Sequence, residues 1–186
     1  MRRHLAPEPT AIEFHYVNGR GMGEIVRLVC VAGKLDFKDT RHEGGVSSIP
    51  KELRAKSPLG QVPFLDVDGV FLGQTVSLAR TCAKLGGIYP QDPVQGGISD
   101  MVVDHTQDIH LNITKLQFTG TPGAAGTKPT PPDELKVKMD DFLGNKLPEM
   151  WGKLENLVRR AFIYFGLAHF HARLSSRARA TLPTTD

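Results

Sequence analysis

The first part of the chain carries two different periods of hydrophobic residues, one after the other. Residues 12–17 alternate apolar and polar side chains as a half-buried β-strand does, and the segment from Asn18 to Gly21 breaks that pattern. Apolar residues then recur at helical spacing, at Ile25, Leu28, Val29 and Ala32. Because Gly33 follows as a stop signal, the pattern predicts a strand and then an amphipathic helix.

Further strands and helices are predicted downstream. A short strand is expected near residues 37–41 and a helical turn over residues 50–56. Asp68-Gly69, a strong hairpin signal, separates two apolar segments, residues 62–67 and 70–72. Another amphipathic helix is expected from Thr75 to the Gly86-Gly87 pair, with apolar positions at Val76, Ala79, Cys82 and Ala83. The predicted order is therefore β-α-β-(α)-β-β-α.

The second half of the chain has a different character. Residues 86–97 are rich in glycine and proline, as expected of an interdomain linker. Residues 135–158 are expected to form one helix, and residues 119–132 a mobile loop before it. Another long helix precedes that loop, and its apolar face carries Ile98, Met101, Val102, His105 and Ile109. We therefore expect an α+β protein in which a small α/β domain is followed by an all-helical one.

Composition and charge exclude several functional classes. Hydrophobic residues make up 40% of the 186 residues and charged residues 23%, as in ordinary soluble globular proteins. The net charge of +3 arises at the end of the chain: five arginines and one aspartate from Arg159 onward give +4, so residues 1–158 carry −1. No segment approaches the ~20 apolar residues of a membrane span. We therefore expect neither a nucleic-acid partner nor a membrane.

The two cysteines give no sign of a disulfide framework or a zinc site. Cys30 and Cys82 lie in predicted helices and form no CxxC pair. Buried free thiols persist in reducing compartments, which favours a cytoplasmic location.

Val62-Pro63 stands at the start of the predicted hairpin. Combined with the β-α-β-β-α order, a proline at this position indicates a thioredoxin-like domain, in which a cis-proline exposes backbone groups to an extended peptide. The alternative is a trans proline at a strand start, which is far commoner at X–Pro bonds in general. The position within the whole pattern favours cis.

Three segments form a specific combination of motifs: residues 15–24 (HYVNGRGMGE), 60–69 (GQVPFLDVDG) and 74–80 (QTVSLAR). Together they resemble the cytosolic glutathione S-transferases, most closely their sigma class. The resemblance covers about residues 12–158. It implies a thioredoxin-like glutathione-binding domain over residues 12–88, an N-terminal extension over residues 1–11, and an all-helical domain over residues 94–186 that is incomplete and divergent after about residue 158.

The resemblance implies a role for Tyr16 in thiol chemistry. A thiol such as that of cysteine has a pKa of about 8.5, and only the thiolate attacks electrophiles well. A hydroxyl that donates a hydrogen bond to the thiolate lowers that pKa. Tyr16 would be this donor; from composition alone it would be a half-buried strand aromatic.

The resemblance also implies a binding set for glutathione. Gln74 and Thr75 would hold the γ-glutamyl carboxylate at a helix N-terminus, where Thr75 is in addition a good N-cap. Pro63 would present the Val62 backbone to the cysteinyl part of the tripeptide. Near the glycyl end the binding residues would be Gln61 and Arg54. Asp108, one turn after Asp104 on the long helix, would reach across a homodimer interface to the γ-glutamyl amine, although such paired carboxylates usually face solvent.

Some residues depart from the family pattern. Met22 replaces an arginine that would support the tyrosine hydroxyl, and Ile49 stands where a tryptophan would bind the glycyl end. Val17 replaces an aromatic residue at the mouth of the electrophile pocket. The expected lining of that pocket is Val17, Met22, His110 and Thr114.

The resemblance implies a homodimeric enzyme that uses glutathione as co-substrate and binds no cofactor or metal. It would conjugate the glutathione thiolate to a hydrophobic electrophile, or isomerise lipid peroxides. The alternative is a non-catalytic binding or structural protein of the same fold, or an inactive truncated product. A thiol–disulfide oxidoreductase is a more distant alternative, because no cysteine starts the first helix.

Overall fold

The computed structural model describes residues 9, 11–119 and 128–161. The chain divides into two compact units between Pro90 and Gln91, within the segment rich in glycine and proline. Most of the expected N-terminal extension lies outside the described residues, as does the expected divergent segment from residue 162 onward.

The first unit contains a mixed four-stranded sheet. Its strands are β1 (Ile12–Val17), β2 (Lys38–His42), β3 (Phe64–Val67) and β4 (Val70–Gly73), in the spatial order β2-β1-β3-β4. Strands β1 and β2 are parallel, whereas β1 with β3 and β3 with β4 are antiparallel. The helices of this unit are α1 (Glu24–Ala32), α2 (Lys51–Lys56) and α3 (Thr75–Leu85). The predicted order of strands and helices is confirmed.

Two local features explain the chain path. At the hairpin, Asp68 and Gly69 have φ angles of 50° and 84°, a left-handed conformation for which an Asp-Gly pair is suited. Helices α1 and α3 end side by side at Gly33 and Gly86. A Cβ atom on Gly86 would lie 2.7 Å from the Cα atom of Gly33, so this close approach requires glycine.

The core of the first unit lies between the sheet and helices α1 and α3. Its members are buried apolar side chains from two strands and two helices, and they include Phe14, Val26, Cys30, Leu65, Leu78 and Cys82. Both cysteines are fully buried, as the sequence predicted. The pKa of the Cys82 thiol is raised, first by a hydrogen bond with Cys30 and then by burial. Because both cysteines of the chain are inaccessible, the structure gives no support to thiol–disulfide exchange.

The expected apolar face of α1 is confirmed at Ile25 and Val29, which pack against the core, and it was wrong at Leu28 and Ala32. Leu28 is 61% exposed and Ala32 is also exposed, whereas Val26, Arg27 and Cys30 face the sheet. The helix is so rich in apolar residues that two neighbouring faces satisfy the same spacing. Packing against the sheet selects the face that carries a charged residue, which periodicity of apolar residues does not reveal.

The second unit is largely helical. Helix α4 (Pro93–Gln117) begins at Asp92, whose carboxylate accepts a hydrogen bond from the backbone N–H of Gln95 at 2.9 Å. Helix α5 (Pro132–Asp141) continues through a π-helical turn (Phe142–Lys146), and residues 147–161 are helical. The long helix expected over residues 135–158 is therefore present, with a π-helical interruption.

The segment between α4 and α5 differs from the expected loop at both of its ends. Strands β5 (Phe118–Thr119) and β6 (Lys128–Pro129) pair there as a short antiparallel ribbon. Two-residue strands give too short a pattern for the sequence to indicate them. Residues 120–127, the middle of the expected mobile loop, lie outside the described residues.

Within the described parts of the chain, no helix is long and apolar enough to cross a membrane. Over the same residues, no group of three or more His, Cys, Asp or Glu side chains is arranged to hold a metal ion.

Candidate functional site

The strand register brings three predicted site residues to one edge of the sheet. His15 pairs with Phe64 across β1 and β3, and Phe64 pairs with Gly73 across β3 and β4. The next positions in the same register are Tyr16, Pro63 and Gln74. These residues therefore follow one another across three strands, at the edge where β1 and β4 end and β3 begins.

Tyr16 is buried at this edge, with 9% of its surface exposed. Its ring packs under the turn Gly21–Gly23, and the Met22 backbone N–H donates a hydrogen bond to the hydroxyl oxygen at 3.2 Å. Gly23 must lack a side chain, since a Cβ atom there would lie 2.4 Å from Cδ1 of the tyrosine ring. The turn thus fixes the phenol, and the hydroxyl keeps its own hydrogen for a further acceptor.

The Val62–Pro63 peptide bond is cis, as the sequence predicted. Pro63 itself is buried, and Val62 packs against the edge of the core. The two residues lead directly into β3.

Gln74 and Thr75 form the start of α3. The expectation that Thr75 is the N-cap was wrong: Gln74 is the N-cap and Thr75 is the first helical residue. Gln74 has a φ of 70°, an unusual value for a residue other than glycine, and its side chain makes no capping hydrogen bond. The first N–H groups of α3 have no partner within the helix, which creates a local site for an anion.

Gln61 and Gln74 come together beside this helix start. The side-chain amide of Gln74 lies 3.4 Å from the side-chain oxygen of Gln61. The Ser57 hydroxyl is buried and donates to the Gln61 backbone carbonyl at 2.7 Å, a supporting contact that the sequence analysis missed. Arg54 lies on α2 and is half-buried, and Ile49, before α2, is 2% exposed and belongs to the interior.

Arg27 is a second residue that the sequence analysis missed. It is 5% exposed, and its Nε donates to both carboxylate oxygens of Asp39, at 3.1 and 3.0 Å. Its guanidinium carbon lies 5.7 Å from the centre of the Tyr16 ring. Arg27 lies on α1 between the buried residues Val26 and Cys30. Its burial could be predicted only from a correct assignment of the inward face of this helix.

The remaining predicted site residues fall into both units. Val17 and Met22 pack against the core of the first unit. His110 and Thr114 lie one turn apart on α4 in the second unit, where the Thr114 hydroxyl donates to the His110 carbonyl at 2.9 Å. Burial lowers the pKa of His110, which favours its neutral form. The electrophile pocket that these four residues would line stays a prediction.

Asp104 and Asp108 are exposed on α4, as paired carboxylates usually are. They form part of the lining of a groove of about 530 Å³ that lies within the second unit. The opposite wall belongs to the helical segment 147–161 and includes Lys153, Asn156, Leu157 and Arg160. His105 joins the two walls, because its Nε2 lies 2.9 Å from the Met150 carbonyl oxygen.

The chain has relatives of known family. It is 31% identical over 143 residues to the hematopoietic prostaglandin D synthase of Gallus gallus, an alignment that covers 77% of this chain and 64% of that protein. It is 32% identical over 100 residues to glutathione S-transferase 2 of Caenorhabditis elegans, covering 53% of this chain and 51% of that one. Its homologues are glutathione S-transferases. The predicted family resemblance is thereby confirmed, although no protein-family model matches the chain.

The fold of the chain is confirmed by comparison with a solved structure. A glutathione S-transferase from the hookworm Necator americanus aligns with a TM-score of 0.64 at 24% identity, covering 81% of this chain and 69% of that chain. The α+β architecture, a thioredoxin-like part followed by a helical part, is therefore as predicted. The chain spans between half and two thirds of the length of the two curated relatives named above.

Proposed function

We propose that this chain binds glutathione at the sheet edge formed by Tyr16, Pro63 and Gln74 and conjugates its sulfur to electrophilic small molecules. The observation that carries the proposal is the hydrogen bond from the Met22 backbone to the Tyr16 hydroxyl. This bond occupies one acceptor position of the oxygen and fixes the phenol. The hydroxyl hydrogen is then free to be donated to a sulfur atom at the same edge.

The proposed chemistry follows from the properties of a thiol. The glutathione thiol loses its proton to solvent, and the Tyr16 hydroxyl donates a hydrogen bond to the resulting thiolate. The sulfur lone pair forms a C–S bond with the electrophilic carbon. In a substitution the leaving group departs with the electron pair of the bond that breaks. Stabilising the thiolate increases the fraction of nucleophile present at neutral pH.

The charges of glutathione fit the same edge. Its γ-glutamyl carboxylate would lie at the start of α3, against the unpaired N–H groups there and the side chain of Gln74. Its cysteinyl part would pair with the backbone of Val62. Gln61 and Arg54 would face the glycyl end, and the contact between Gln61 and Gln74 supports a continuous polar surface along the ligand.

Several finer features belong to the same proposal. We assign the chain to the sigma class because its three motifs resemble that class most closely, and we extend its activity to the isomerisation of lipid peroxides because a relative is named as a prostaglandin D synthase. We also propose a cytoplasmic homodimer in which Asp108 reaches the γ-glutamyl amine of the ligand across the interface. The exposure of Asp108 is compatible with this role.

The test combines retention on immobilised glutathione with turnover of chlorodinitrobenzene. We expect the chain to be retained and active, and Tyr16→Phe to lower kcat on the order of 100-fold, as loss of one aligned donor does elsewhere, with little change in retention. Tyr89→Phe is the matched control, since it makes the same chemical change outside the edge, and it should leave both unchanged. A chain that is not retained, and that free glutathione does not stabilise against heat, would contradict the proposal.

A non-catalytic glutathione-binding protein is the second candidate. It is favoured by Met22, which contributes only a neutral backbone N–H beside the Tyr16 hydroxyl where the family pattern has an arginine. Retention without turnover of any electrophile would select this candidate over the enzyme.

A further inference from the structure

Arg27 is a buried cation that donates hydrogen bonds both to β2 and to the chain segment that leaves β1. On one side its Nε forms the two bonds with the Asp39 carboxylate of β2. On the other side Nη1 donates to the Gly19 carbonyl at 2.7 Å, and Nη2 lies 3.4 Å from the Val17 carbonyl. Glu24, one helical turn before, lies 3.4 Å from Nη1. A guanidinium with this many partners is held in one orientation.

The two carbonyl groups belong to the chain segment that leaves β1. This segment runs directly into the turn Gly21–Gly23, where the Met22 N–H meets the Tyr16 hydroxyl. Arg27 therefore joins the start of this segment to β2. The far end of the same segment supplies the contact that orients the phenol.

Arg27 also touches the tyrosine through its ring face. The guanidinium carbon lies 5.7 Å from the centre of the Tyr16 ring and 5.4 Å from that of Phe14. Cation–π attraction at such distances favours one placement of the ring below the guanidinium. Tyr16 is thus held by Arg27 on its ring and, through the turn, at its hydroxyl.

We propose that Arg27 is a positioning residue for Tyr16: it fixes the exit of β1 and the phenol ring so that the hydroxyl is aligned with the glutathione sulfur. This inference rests on the proposed function. It assigns to Arg27 a cationic contact with the ring face of Tyr16, which the methionine side chain at position 22 does not supply.

The test compares Arg27→Met with Arg41→Met. Arg41 also binds the Asp39 carboxylate, at 2.7 Å, but it is exposed on β2. Within the described residues its side chain makes no hydrogen bond to the β1 exit or to Tyr16. We expect Arg27→Met to lower kcat for chlorodinitrobenzene about 10- to 100-fold, as a small misalignment of reacting groups does, while the KM for glutathione changes little. The pH profile of kcat/KM for chlorodinitrobenzene at saturating glutathione reports the apparent pKa of the bound thiol, and this pKa should rise in the same variant. Arg41→Met should match the wild type in all three.

Two further variants keep the test decisive if Arg27→Met does not fold. Arg27→Lys keeps the cation but loses the planar fork, and Asp39→Asn keeps the arginine but weakens its anchor. Both should be retained on immobilised glutathione with lowered kcat. Folded Arg27 variants with wild-type kcat and an unchanged thiol pKa would overturn the inference. A wild-type chain without turnover would instead overturn the proposed function, which separates the two failures.

Discussion

The Met22 backbone N–H donates a hydrogen bond to the Tyr16 hydroxyl across a distance of 3.2 Å. This relationship depends on the turn between them, whose glycines let the backbone approach the aromatic ring. At position 22 the contact comes from the main chain, so the side chain there can be methionine without loss of this donor.

Gly23→Ala should therefore impair the site. The new methyl group would start 2.4 Å from Cδ1 of Tyr16, so the ring or the turn must move. We expect a loss of about 1–3 kcal/mol in the free energy of unfolding, as for other overpacked positions, and a fall in turnover. Chemical denaturation and steady-state kinetics measure the two effects.

Gly19→Ala is the matched control for that substitution. A Cβ atom on Gly19 would lie 3.9 Å from its nearest neighbour, a methyl of Val17, which is an ordinary contact. It should leave turnover near the wild-type value. Equal effects of the two substitutions would contradict the packing of Tyr16 under the turn.

The inward face of α1 can be tested with two valines of the same helix. Val26 is fully buried and Val31 is 68% exposed. Val26→Ala should cost about 2 kcal/mol of unfolding free energy, because it leaves a cavity in the core. Val31→Ala should be neutral or slightly stabilising, since alanine has the higher helix propensity. A larger cost at Val31 than at Val26 would contradict this assignment of the inward face.

His15 should make the stability of the first unit depend on pH. It is 5% exposed, and its ring lies 4.5 Å from that of Phe64 and 5.8 Å from that of His42. Burial lowers the pKa of His15 from its ordinary value of about 6.5, and this outweighs the opposing attraction of Glu13. The unfolded chain therefore takes up a proton at a higher pH than the folded chain does.

The sign of the pH effect follows from this lowered pKa. The stability that His15 contributes is fully present above about pH 6.5 and is lost as the pH falls through the lower folded-state value, at up to about 1.4 kcal/mol per pH unit. The other groups that act on His15, Asp66 and Lys38 among them, remain in His15→Phe. Urea unfolding between about pH 8 and pH 5 should thus show a smaller pH dependence in His15→Phe than in the wild type. Equal slopes would contradict a buried neutral His15.

The sequence predicted the strands and the hairpin because each depends on local signals. Asp68-Gly69 determines the hairpin, and the hairpin register places Pro63 opposite Gln74. Tyr16 joins them through the pairing of β1 with β3, which are distant in sequence. The resemblance of three short motifs then assigned roles to residues that the fold brings to one edge.

Other features could not be predicted because tertiary packing decides them. Arg27 faces the interior of the fold, since the partners that satisfy its charge come from β2 and from the exit of β1. Thr75 has the composition of an N-cap, but the backbone enters α3 one residue earlier, at Gln74. For Arg27, a local preference for solvent is overridden by contacts with these distant partners.

The proposed function depends on the Tyr16 hydroxyl, which would stabilise the thiolate of bound glutathione. The most direct measurement is a pH titration of the thiolate absorbance of the glutathione complex, in the wild type and in Tyr16→Phe, with Tyr89→Phe as control. We expect a thiol pKa below the free value of about 8.5 in the wild type and the control, and a pKa near that value in Tyr16→Phe. The same thiol pKa in the wild type and in Tyr16→Phe would contradict this role of the hydroxyl.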